Sequence, residues 1–335
     1  MQKGYDYSIS FMRVCAMLFI MICHLGSHFK LTAIGQFFNI GVPIFFLVSG
    51  YLYGDKDIKD IKNWIKQRAI RLYVPLLLWG IIMTAAMVVR GNQIPSFKEY
   101  IFFLLNLHGL NFIFYRMKDL AMGPWFFTVI MVCYLMTALY FIVRKHFKNL
   151  DKSLFYYGGI IPLAGFIILV YLGVNLSGLL CYMIGFGLKK RALLSKKRPR
   201  NIYVSVIVFI LTINIWLISR RFIDGTIFYN QIIAPMSHVL IAVAFFIGVK
   251  WLFDQIPKPL NIIVSSKIFR WIDKISIFVY VCHDWYLDPL FVDVFALNLP
   301  IIWSILIFFL LAFITASGMS LIGEGITKGL KKVAA

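Results

Sequence analysis

Charged residues are scarce in this chain, and acidic ones are scarcest: 14 Asp and Glu stand against 34 Lys and Arg in 335 residues. Only 14% of positions are charged and 61% are hydrophobic, where soluble domains carry about 25% charge. With a mean hydropathy of +0.83, this balance excludes an ordinary soluble globule and makes lipid the solvent. Cysteine is sparse too. Cys15, Cys23, Cys133, Cys181 and Cys282 match no zinc or redox spacing, and an odd number closes no disulfide set. All five lie in apolar runs, where they read as small packing residues. Low-complexity linkers, an appended soluble domain and a clear internal repeat are all missing, and the last absence weakens an inverted-repeat transporter. No cleavable signal is evident, because the first apolar run carries Arg13 and His24 and lacks a small-residue cleavage site. A single membrane domain over 1–335 is expected.

What is present is a series of long apolar runs. A crossing needs about 20 mostly apolar residues. Runs near 8–29, 36–53, 70–90, 123–143, 154–172, 175–188, 202–219, 231–253, 275–296 and 300–322 meet or approach that length. The sixth is short, and Pro43 interrupts the second. The expected fold is therefore all-α: a polytopic integral membrane bundle of about ten transmembrane helices.

The net charge of +20 would suggest nucleic acid in a soluble protein. Here the basic residues cluster between apolar runs, so they read as orientation signals and lipid headgroup contacts, with no nucleic-acid partner. If the N-terminus is inside, only Lys30, Arg90, Lys98, Arg116, Lys118, Arg220 and Arg221 fall outside. The opposite orientation inverts that asymmetry, so N-in and C-in is expected, with 323–335 as a cytoplasmic tail. The long outer connection 91–122 is apolar but broken by Asn106, His108, Gly109 and Asn111. It reads as a re-entrant or interfacial segment, either shaping an outward-facing site or packing over helix ends.

Charge inside a span costs about 2.5–3.5 kcal/mol at the helix centre, which makes ionisable residues there functional candidates. Arg13 and His24 lie 11 residues apart in the first run, close to three full helical turns, so they share one face about 16 Å apart. The plain alternatives are a snorkelling Arg13 and a core His24; the shared face favours a common polar channel. Arg68 and Arg71 are three residues apart where an inner loop feeds the third span. Their forks suit phosphate oxygens, though anchoring by positive charge competes. In the ninth run His283 is followed by Asp284 and Asp288, a pattern that fixes a histidine tautomer or simply forms an acidic cluster anchoring Trp285.

These residues also resemble a family. Arg13 and His24 are similar to the R-x10-H signature of the acyltransferase-3 family of membrane acyltransferases. Gly41 to Tyr51 (GVPIFFLVSGY) resembles that family's GVxxFFxxSG(F/Y) second span, and Arg68 and Arg71 match its RxxR motif. Pro124-Trp125-Phe126-Phe127 resembles its aromatic opening of the next span, and Ser276 to His283 its late S…YxxH segment. The matches occur in family order over most of the chain. One departure is visible: many members carry an acid three positions before the arginine, where this chain has Ser10.

The resemblance implies transfer of an acyl group, usually acetyl, from cytoplasmic acyl-CoA to a hydroxyl of a cell-surface glycan or lipid-linked saccharide. The expected setting is a multi-pass protein of the cell membrane, in contact with membrane lipid. His24 is then the general base, Arg13 an orienting or oxyanion-stabilising group, and His283 a second catalytic candidate. Arg68, Arg71 and Ser49 are expected to bind the acyl-CoA, with Ser49 and Gly50 letting the thioester approach the second span, and Trp125 to stack on a sugar or adenine ring. No metal is expected. The chain lacks the appended esterase-like domain of some relatives, so direct transfer to the acceptor is expected. The competing classes are a transporter or flippase, whose Arg and His line a substrate path, and a structural membrane subunit.

Overall fold

The computed structural model describes residues 6–54, 56, 58–91, 95–107, 125–146, 176–190, 200–226, 228–288 and 291–333. Every regular element among them is helical. In chain order these are α1 (Tyr7–His28), α2 (Thr32–Phe38), α3 (Gly41–Tyr51), α4 (Ile61–Val89), α5 (Phe97–Leu104), α6 (Trp125–His146), α7 (Leu176–Lys190), α8 (Arg200–Ile223), α9 (Ala234–Gln255), α10 (Pro257–Ser265), α11 (Lys267–Cys282) and α12 (Ile301–Val333). A π-helical turn, Tyr229–Ile233, precedes α9, and 3₁₀ turns occupy His283–Tyr286 and Val294–Leu297. Seven helical stretches among the described residues are long and apolar enough to cross a bilayer: Tyr7–His28, Thr32–Tyr51, Ile61–Val89, Trp125–Lys145, Ile202–Ile223, Ala234–Gln255 and Ile301–Leu330. This is a membrane protein built from helices.

The expected crossing at 154–172 lies outside the described residues, as do His108, Gly109 and Asn111. The expected crossing at 175–188 is the 15-residue α7, about 22 Å long at 1.5 Å per residue, against roughly 30 Å of hydrocarbon. Helix does not continue over 275–296. α11 ends at Cys282, where the His283 ring turns back onto the carbonyls of Val279 and Tyr280. Asp288 precedes Pro289 in the sequence, which disfavours helical backbone there as well. Pro43 does not interrupt the second span either. The break falls earlier, at Asn39 and Ile40, and Pro43 sits in the first turn of α3, where an amide proton has no intrahelical partner to lose.

The chain divides into two compact units, Met1–Lys56 with Asn175–Lys274 and Asp57–Val174 with Ile275–Ala335. In the first, α3 and α7 meet backbone to backbone. A Cβ at Gly50 would lie 1.9 Å from the Tyr182 carbonyl oxygen, and one at Gly185 would lie 2.0 Å from that of Leu47. Glycine is obligatory at both, the small-residue packing that lets helices approach in lipid. α1 and α9 run antiparallel, with Phe11 against Phe253 at 5.6 Å and Phe19 against Phe245 at 5.5 Å. α8 buries Ser205, Thr212 and Trp216 and exposes Ile207, Ile210, Leu211, Ile215 and Ile218. The Ser205 hydroxyl donates to the Ala244 carbonyl of α9 at 3.1 Å.

In the second unit α4 carries an internal proline, Pro75, which cannot donate to the carbonyl of Arg71 four residues back. The described part of 91–122 is the short helix α5. A reciprocal Ser96–Glu99 capping box starts it. Phe103 stacks on Trp79 at 5.7 Å and fills the space beside Gly80. Past it, Asn106 adopts a left-handed conformation. Its buried amide donates to the Phe127 carbonyl and accepts from Thr128, tying this segment to the first turn of α6. No disulfide joins any of the five cysteines, all of which lie among the described residues.

Candidate functional site

In the first unit, α1 is continuous from Tyr7 to His28, so Arg13 and His24 do share one face, three turns apart. The new element is the partner of Arg13. Its Nε donates to Oδ1 of Asp273 at 2.9 Å and its Nη2 to Oδ2 at 2.5 Å, while Nη2 also lies 3.5 Å from the Ser10 hydroxyl. The Asp273 side chain is 6% exposed and that of Arg13 35%. A buried carboxylate without a cation is strongly disfavoured. The two-bond fork supplies both the charge and the direction.

Asp273 was not legible as a site residue, because it sits among the basic residues of the segment leading into α11. One signal pointed to it: Arg13 lies in a span without the acid at position 10. The structure supplies that carboxylate from a residue 260 positions away.

His24 is partly exposed on α1. Ser49 is half-buried on α3. Its neighbour Gly50 is not open to a ligand, because the Tyr182 backbone occupies that side; the expectation that Gly50 admits a thioester is corrected by this packing. At the start of α1, Asp6 pairs with Lys250 at 2.5 Å and accepts from the Ser8 hydroxyl. Burial pushes the Asp6 carboxyl up, but the Lys250 ammonium and the Ser8 and Ile9 donors outweigh it and hold the group below its ordinary value. Lys250 and Lys189 both lie over the ring of Tyr51, at 4.8 and 5.0 Å.

In the second unit, Arg68 is half-buried and Arg71 exposed, on the first turns of α4. The Arg68 guanidinium lies 5.8 Å from the centroid of Trp64, which meets Tyr134 of α6 edge-on at 5.7 Å. Trp125 is the half-buried first residue of α6.

His283 is 1% exposed. Its Nδ1 lies 2.8 and 3.1 Å from the carbonyls of Tyr280 and Val279. Carbonyls only accept, so Nδ1 carries the proton. Nε2 faces Asp284 Oδ1 at 3.4 Å, the carboxylate neighbour that the sequence suggests. Asp288 does not join them as a helical neighbour, since the helix has already ended. Trp285 is held by stacking on Phe291 at 4.9 Å.

The first unit thus offers a partly exposed imidazole and a clamped guanidinium on one helix face, and the second unit, taken by itself, a pair of arginines on the first turns of α4. That inventory suits acyl transfer, in which a base, an orienting cation and anion-binding groups are needed. Comparison with known proteins agrees. An acyltransferase domain family matches residues 6–322, while no curated protein and no solved structure matches. The chain belongs to the acyltransferase-3 family and is a membrane acyltransferase.

Proposed function

We propose that this protein is an O-acyltransferase that moves an acyl group, acetyl in the first instance, from cytoplasmic acyl-CoA to a hydroxyl of a cell-surface glycan or lipid-linked saccharide. The observation that carries this reading is the Arg13–Asp273 clamp on the His24 face of α1. His24 is the general base. It takes the acceptor hydroxyl proton as the oxygen bonds to the thioester carbonyl carbon. The C–S bond then breaks, and the departing thiolate recovers that proton from the imidazolium.

Three turns, about 16 Å, separate Arg13 from His24, and Asp273 holds the guanidinium in place. Arg13 is therefore assigned to orienting the donor rather than to the oxyanion. Arg68 and Arg71 bind CoA phosphates, Ser49 lies along the donor path, Trp125 stacks on a ring of donor or acceptor, and His283 is a second candidate for proton transfer. The setting we assign is the cell membrane, with about ten crossings, both termini inside, and one acyltransferase domain over the chain.

The experiment is direct. Purified protein is incubated with labelled acetyl-CoA and a panel of glycans. His24→Ala is expected to lower transfer by about 10²–10⁴-fold with CoA binding retained. Full activity in that variant would remove the base assignment, and absence of CoA-induced thermal stabilisation of the wild type would remove the donor.

A further inference from the structure

In the second unit a cavity of about 330 Å³ opens beside the start of α4, lined by Ile58, Lys59, Phe141, Arg144 and Lys145. Among the described lining residues three are cationic and none is acidic. Lys59 and Lys145 are exposed and Arg144 half-buried, while Phe141, buried at 4% exposure, and half-buried Ile58 form an apolar wall. Among the described residues none of the three cations is engaged in an ion pair. The nearest carboxylate in the chain that the structure describes is Asp60, whose side chain accepts from the Asn63 amide as the cap of α4. Among the described residues the lining thus offers three cationic side chains to a ligand.

The charge count selects the ligand. A carboxylate or a phosphodiester brings one negative charge to three cations, whereas a phosphomonoester brings about 1.5–2 and three acceptor oxygens that suit an arginine fork with two ammonium groups. The volume falls at the lower end of the range of small-molecule sites. The apolar wall fits the flat face of a base beside that phosphate. Arg68 stands seven residues into α4, about 10 Å from its start. One compact unit thus carries two anion-binding positions, at and within the mouth of the same helix.

We propose that this cavity binds the adenosine 3′-phosphate end of the acyl-CoA donor, with Lys59, Arg144 and Lys145 on the phosphomonoester and Phe141 and Ile58 against the base, while Arg68 and Arg71 serve the pyrophosphate. This deepens the acyl-CoA reading given above and rests on it. The phosphate chemistry is shared with anionic lipid headgroups, so the test separates the two sources.

Full-length protein in phosphatidylcholine nanodiscs is titrated with CoA and with dephospho-CoA, which lacks only the 3′-phosphate. Wild type is expected to bind CoA more tightly by on the order of tenfold. Arg144→Gln with Lys145→Gln is expected to erase that preference while leaving dephospho-CoA affinity unchanged, which also reports an intact fold. Should the double variant lose both ligands, Lys59→Gln alone is expected to narrow the preference. Equal wild-type affinity for the two ligands, or a preference that survives in the variants, overturns the cavity assignment and leaves the donor reading standing. Binding of neither ligand removes the donor reading itself. A stabilisation by phosphatidylglycerol nanodiscs that the variants abolish, with CoA discrimination intact, makes the cavity a lipid site and overturns the proposal.

Discussion

The two compact units use arginine in opposite ways. In the first, Arg13 is fixed by both oxygens of a nearly buried carboxylate, so its charge is neutralised and its direction set. In the second, Arg68 lies against an aromatic face, Arg71 is exposed, and Lys59, Arg144 and Lys145 line a cavity with no acid among its described lining residues. The same difference runs through the packing. The first unit brings two backbones together at Gly50 and Gly185, whereas the second leaves a cavity at the base of α4.

The comparison can be broken at its firmest point first. Gly50→Ala places a methyl group inside the Tyr182 carbonyl, which no rotamer relieves. A loss of about 3 kcal/mol, seen as a collapse of thermal stability in detergent, is expected, and wild-type stability would show that α3 and α7 separate freely.

Next is the clamp. Asp273→Asn is expected to cost about 1–2 kcal/mol, less than a fully buried pair because Arg13 is partly exposed. Ser10→Asp in that background is expected to restore both stability and transfer, since Ser10 already lies 3.5 Å from Nη2. Rescue of stability without activity would make the pair structural only.

For the second unit, Arg68→Lys is expected to weaken CoA binding by roughly tenfold, because an ammonium loses the fork and the stacking on Trp64. Unchanged affinity would place the phosphates elsewhere.

The smallest effect concerns Asp6, whose folded value is depressed from 3.8. A depressed carboxyl contributes stability above its unfolded value and loses it as pH falls through the folded one. Asp6→Asn is therefore expected to destabilise by no more than about 1 kcal/mol near neutrality, with the difference from wild type shrinking as pH falls below about 4 and lost only once pH has passed through the depressed folded value. A difference that persists at low pH would mean that the pair with Lys250 is not its cause.

Much of this was legible in the chain. The Arg13–His24 register needed only an unbroken helix, and α1 has one. The positions of Arg68 and Arg71 at the base of α4 followed from the junction of a basic loop with an apolar run. His283 had its carboxylate neighbour as expected, in Asp284. The helix beyond Cys282 was misread because hydropathy does not register a ring nitrogen bonding to the carbonyls of the preceding turn. Gly50 was misread for a related reason, since a glycine that admits a substrate and one that admits a neighbouring helix look the same in sequence.

Composition and periodicity by themselves determined the lipid-facing class, the helices and the family motifs, because those depend on local hydrophobicity and on residues close together in the chain. Only the tertiary structure decided which carboxylate answers Arg13, which surface closes over Gly50 and which cations share a cavity. Each of those is a contact between distant segments, fixed by packing and by the cost of leaving charge without a partner in a medium that cannot solvate it.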